Sequence, residues 1–199
     1  MTREYPLFGG AITVELPEGL IDASDLRQVP DTQEVLLTPK SDVTFMIEIL
    51  QQVDAEDLGE AINHSSILLK FSYLHDDDKP RFHFLSLAHD NVAQSSSIES
   101  VTLPAIDAPP SLEHPAHCLL SGIQVVRKFN RTTADTVRIF VALFRIPEKK
   151  IDVILSCNVP ISTSNPETKV VFGDDMQAIT MAFEHAVSSF KIVDRTLFV

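Results

Sequence analysis

Residues Cys118 to Val159 read CLLSGIQVVRKFNRTTADTVRIFVALFRIPEKKIDVILSCNV. The stretch divides into three runs, Cys118 to Phe129, Thr136 to Ile146 and Ile151 to Val159, each with β-branched or aromatic residues at alternating positions. Alternation of that kind marks strands. The connections, Asn130 to Asp135 and Pro147 to Lys150, are too short for the crossover that parallel neighbours need. The three runs therefore read as an antiparallel meander.

Working outward, Ile98 to Ile106 supplies a further strand signal, separated from the meander by the proline-rich linker Asp107 to Ala116. Nearer the start, Gly10 to Leu16 (GAITVEL), Gln33 to Thr38 and Val43 to Val53 also read as strands. Two segments carry apolar residues at helical spacing. Asp54 to Tyr73 opens with acids suited to the positive end of a helix dipole. Asp174 and Asp175 are placed to cap a final helix with the stripe Met176, Ile179, Ala182, Phe183, Ala186, Val187 and Phe190, after which Phe190 to Val193 adds a short edge strand. His75 to Pro80 reads as a solvated breaker, Phe82 to His89 fits helix or strand, and Asn91 to Ser100 reads as a serine-rich connection. The sum is an α+β fold over residues 1–199. It is expected to be a single-domain α/β/α sandwich with a mainly antiparallel six-stranded sheet covered by helices on both faces.

A hydrophobic content of 44% over 199 residues is enough for one sizeable core. The net charge of −12 is lopsided, with thirteen acids against three bases in residues 1–60. Such a field repels phosphate backbones and anionic lipid, so nucleic acid and membrane surfaces are poor partners and a basic protein is a good one. No early apolar run of signal-peptide type appears, and no stretch approaches eighteen uncharged apolar residues. A setting in nucleus and cytoplasm is expected. Cys118 and Cys157, embedded in apolar runs, read as reduced and buried.

The acidic third centres on Gly19 to Val35, GLIDASDLRQVPDTQEV, which holds Asp22, Asp25, Asp31 and Glu34 within thirteen positions and Arg27 as the lone base. Acids at this density face water or a basic partner. Ser24 is placed to cap a short turn from Asp25 to Gln28, and Pro30 stops it by pushing Val29 toward extended backbone. Two meanings stay open on these residues alone: turn carboxylates at an exposed corner, or a docking surface.

The run PLFGGAI (Pro6 to Ile12) followed by P-x-G-x-I-D-A-S-D-L-R-x-V-P-D-x-Q-E-V (Pro17 to Val35) resembles the MOG family of Ran-binding factors, also called Ran guanine-nucleotide release factors. LSGIQ (Leu120 to Gln124), ALFRIP (Ala142 to Pro147), NVP (Asn158 to Pro160) and IVDRTLF (Ile192 to Phe198) extend the likeness along the chain, with Lys70 to Pro115 matching poorly. The resemblance implies a PsbP-like fold, similar to an extrinsic subunit of photosystem II. It implies the small GTPase Ran as partner, guanine-nucleotide release in support of nuclear protein import, and no cofactor. A ternary complex with a second Ran-binding protein is a further expectation. By the same resemblance the Ran-binding role falls on Asp22, Asp25, Asp31 and Glu34, with Arg27 as an interfacial charge and Glu48 extending the patch. Gln51 stands where some members are acidic.

Competing constellations are weaker. His114, His117 and Cys118 have no second ligand pair of comparable type, so no metal site is expected. Asp76, Asp77 and Asp78 lack the glycine and spacing of a calcium loop. The bases from Arg127 to Lys150 have no interleaved aromatic platform and read as rim charges. Without a nucleophile elbow, a phosphate-cradling glycine loop or a zinc-protease motif, a binding factor is expected rather than an enzyme. The alternative reading is a generic acidic protein-interaction module of PsbP-like fold without nucleotide-release activity.

Overall fold

The computed structural model describes residues 1–52, 78–104, 111, 113–127, 134–163 and 168–198. Strands β1 (Thr2–Leu7), β2 (Ile12–Pro17) and β10 (Lys191–Ile192) form a three-stranded antiparallel sheet with β2 at its centre. A second sheet holds β3 (Ile21–Asp22), β4 (Gln33–Leu37), β5 (Thr44–Gln51), β6 (Ala93–Thr102), β7 (His117–Val126), β8 (Asp135–Ile146) and β9 (Ile151–Ser162). Its order is β3-β4-β5-β9-β8-β7-β6, and all neighbours are antiparallel. The α-helices among the described residues are α1 (Asp78–Asp90) and α2 (Gly173–Ser189).

Strand β8 explains the layering. Ile139, Val141 and Leu143 join Ile154 of β9 under Phe84 of α1, while Phe140, Ala142, Phe144 and Ile146 join Val153, Leu155, Cys157 and Val159 on the other face. Both faces of β8 are thus dry, which is why its sequence is nearly continuous in apolar residues rather than alternating apolar with polar. The second face is covered by α2 and the small sheet. Phe183, Ala186, Val187 and Phe190 are buried there, with Met176 and Ile179 packed alongside. Phe190 stacks on Phe144 at 3.9 Å between ring centroids, and Phe183 lies 5.5 Å from Phe140. Each such ring contributes roughly 1.5–3 kcal/mol by leaving water.

Several expectations need correction. The main sheet has seven strands rather than six, and a separate small sheet accompanies it. The strand expected from Ile98 is present, but it begins at Ala93, inside the segment read as a serine-rich connection. At the sheet edge only Ile98 and Val101 pack against the core, so its serines remain in water and its composition imitates a loop. No strand was expected before Gly10, yet β1 buries Tyr5 and Leu7 against β2. Pro80, read as part of a breaker, lies in the first turn of α1, where its missing N–H costs nothing, and the ambiguous Phe82 to His89 is helix. Asp174 and Asp175 sit in the first turn of α2 and act on its dipole; the cap position is Phe172, with no side-chain capping bond. The helix expected over Asp54 to Tyr73 falls outside the described residues.

Candidate functional site: the acidic corner

Asp22 ends β3 and its Oδ1 accepts the Ser24 N–H at 2.8 Å, capping a single 3-10 turn, Ala23–Asp25. The cap is therefore Asp22, not Ser24, and the turn starts two residues earlier than the spacing predicts. The physical reason is Ala23, which is fully buried and so fixes the phase of the turn. Its carbonyl accepts both the Leu26 and Arg27 N–H groups, at 3.0 and 2.9 Å. The chain then turns at Pro30, whose carbonyl accepts the Gln33 N–H at 2.9 Å as β4 begins. Asp25, Arg27 and Asp31 are exposed along this connection, and Leu26 stands among them at 67% exposure.

The two glutamates are placed differently. Glu34 lies opposite Ile47 on the face shared with Leu36 and Phe45, and its Oε1 accepts the Phe8 N–H at 2.6 Å. Glu48 lies opposite Gln33, on the other face of the sheet, and its Oε1 accepts from Gln33 Nε2 at 2.6 Å. The structure thus gathers Asp22, Asp25, Arg27 and Asp31 on one connection, half-buries Glu34 beside it, and sets Glu48 on the reverse face. Among the described residues, no ion pair joins any of these acids to a basic side chain. Leu26, Phe8 and Gln33 went unnoticed in the sequence; an apolar residue inside an acidic run was the available signal for Leu26.

The other constellations disperse. His114 Nδ1 lies 3.1 Å from the Phe190 carbonyl, whereas the His117 ring packs against Phe144, and burial lowers the pKa of His117 despite a backbone bond at Pro115 that raises it. No group of three metal-ligating side chains occurs among the described residues. A buried charge network does exist on the α1 face: Arg145 donates to both oxygens of Asp152 at 2.8 Å, and His83 Nε2 donates to Oδ2 at 3.0 Å. It joins α1 to β8 and β9, with β5 alone between β9 and β4 in the strand order. No helix among the described residues is long and apolar enough to cross a membrane.

A family described as Ran-interacting Mog1 protein matches residues 5–160. The chain belongs to the Mog1 family. A human relative, Ran guanine nucleotide release factor, is 33% identical over 99% of this chain and 97% of its own. The zebrafish (Danio rerio) protein of the same name is 31% identical over 97% and 98% of the two chains. Among solved structures, the Ran-binding protein Mog1p of Saccharomyces cerevisiae superposes with a TM-score of 0.69 at 26% identity, covering 100% of this chain and 99% of that one. The α+β architecture and the whole-length extent of the likeness are therefore those of a Mog1 protein.

Proposed function

We propose that this Mog1-family protein binds the small GTPase Ran and promotes release of its guanine nucleotide, supporting nuclear protein import. Whole-length relatives carrying that name support the reading. The observation that carries it in this chain is the corner itself, with Asp25 and Asp31 exposed, Asp22 beside them, and Leu26 at their centre. A compact negative corner steers and orients a basic partner surface, and an exposed apolar residue inside it supplies contact area. Arg27 completes the footprint as an orienting charge, and Glu34 and Glu48 border it from the two faces of the sheet.

Release follows by reciprocity. If the protein binds nucleotide-free Ran more tightly than loaded Ran, it weakens nucleotide binding by the same factor. Such a factor works by binding alone and needs no cofactor. We further read residues 1–199 as one Ran-binding domain of PsbP-like arrangement, working in nucleus and cytoplasm. The buried clusters on the two faces share β8 and β9, which favours one cooperative unit. A ternary complex with a second Ran-binding protein fits a docking corner confined to one end of the sheet.

The test is the rate of labelled-nucleotide release from Ran with the wild-type protein, Asp25→Ala and Asp31→Ala. Each substitution is expected to slow release by about two- to five-fold. Equal acceleration by all three proteins would remove the corner from the mechanism. Binding without acceleration would favour the alternative of a generic acidic interaction module.

A further inference from the structure

Strand β6 closes the main sheet at the end opposite β3, and among the described residues it pairs with β7 alone. Its other backbone edge faces outward along ten residues. Natural sheet edges are blunted by lysine, proline or an unpaired charge. This one carries neither lysine nor proline, and its lone charge, Glu99, accepts from Arg138 of the same chain at 3.0 Å. Register shifts at Gln94 and Glu99 bend the strand but leave Ser95 to Ile98 in unbroken pairing. Each end of β6 also carries an exposed apolar residue. Val92 precedes the strand at 78% exposure and Leu103 follows it at 46%. The φ of Val92, 50°, lies in the left-handed region, where a β-branched residue is an outlier. The backbone is held there by the Val92 N–H on the His89 carbonyl at 2.9 Å, and by Asn91 Nδ2 on the buried Gln124 at 3.3 Å. Glycine would fit that turn without strain and without a branched side chain in water. A side chain that costs the fold on both counts points to a use outside it.

From this we infer that β6 is a self-association surface. Two copies of the chain pair their β6 edges antiparallel about a two-fold axis, which continues one seven-stranded sheet into the other. A two-fold contact is self-complementary, so Val92 coming alongside Leu103 of the second copy at one end of the strand is repeated at the other. Charge permits a second copy at this edge despite the net −12, because thirteen acids against three bases fall in residues 1–60 and the acidic corner stands on the β3–β4 side of the sheet. Residues 61–199 are close to balance, with fifteen acids against thirteen bases. A strand of this length gives a strip only about 33 Å long, so the dimer belongs to the weak, concentration-dependent class. The pairing leaves the acidic corner open, and the inference stands independently of the docking reading.

Sedimentation velocity on the full chain tests this. The wild type is expected to dimerise reversibly, with a Kd of about 10–100 μM when followed from about 5 to 500 μM. Val92→Asp, at a φ that aspartate tolerates, and Leu103→Lys each raise that Kd by about five- to ten-fold. The double variant returns to within about three-fold of wild type, because each new carboxylate then lies beside a new ammonium of the second copy. The two positions stand about 35 Å apart along one strand, so the rescue cannot arise within a chain. Val92→Gly separates interface from fold: it melts no lower than the wild type, since the strain is relieved, yet weakens the dimer by about five-fold. A monomer throughout the concentration range overturns the proposal. So does Val92→Asp dimerising as the wild type does, or a double variant that dimerises no better than the two single ones.

Discussion

Gly122 lets α1 reach the sheet. A Cβ there would stand 2.6 Å from Phe84 Cζ and 2.6 Å from the Ser97 carbonyl oxygen, so the fully buried Phe84 ring fits only over a bare backbone. Gln124, two residues on and equally buried, donates to the Phe84 carbonyl at 3.0 Å and accepts from Asn91 at 3.3 Å. Gly122→Ala is expected to cost about 1–3 kcal/mol through overpacking, read as a lower urea midpoint; an unchanged midpoint would mean that the ring can swing aside. At this scale the sequence was partly legible. Asp25 and Asp31 stand exposed as a dense acidic run demands, but the cap shifted to Asp22 because burial of Ala23 is a tertiary fact. The partner of Glu34 lies in another sheet, and no local pattern announces it.

Among elements, the joint between β8, β9 and α1 is electrostatic at its centre. Arg145 faces Asp152 in register, and His83 comes down from the helix onto the same carboxylate. Burial alone would raise the pKa of Asp152, but the bonds from His83 and Arg145 outweigh it and hold the carboxyl below its ordinary value of 3.8. A depressed folded value means that the stabilisation is present above the ordinary value and is lost as pH falls through the folded one. Asp152→Asn removes the buried charge that meets both Arg145 and His83 and is expected to cost about 3–5 kcal/mol near neutral pH. The difference from wild type should shrink in acid, a comparison made by denaturant melts from neutral pH downward; a difference constant with pH would exclude Asp152 as the titrating group. Elements buried on a full face, such as β8, β9 and α2, were readable from their apolar spacing. The edge strand β1 and the first half of β6 were not, since much of each faces water and its composition matches that of a loop; the second half of β6, from Ile98, was.

For the whole molecule the governing asymmetry is charge. Thirteen acids against three bases fall in residues 1–60, and among the described ones Asp22, Asp25, Asp31 and Glu34 stand at the end of the main sheet that β3 and β4 occupy. Association with Ran should slow by roughly ten-fold between low salt and about 0.5 M, with dissociation nearly unchanged, because screening acts on encounter more than on the formed contact. Stopped-flow association rates that ignore salt would rule out steering. The layered α+β class was legible because both helical and strand periods are strong in the sequence. The strand order was not, since the central pairing of β5 with β9 joins Thr44 to Asn158 and local spacing carries no trace of it.

The meander also hides the molecule's sulfur chemistry. Cys118 on β7 and Cys157 on β9 are both buried, and burial pushes the Cys157 thiol far above its ordinary range, so the folded chain offers no thiolate there. Alkylation of Cys157 must then wait for the central strands to part. Its rate is a clock for global opening, and a partner that binds only the folded chain would slow it by mass action.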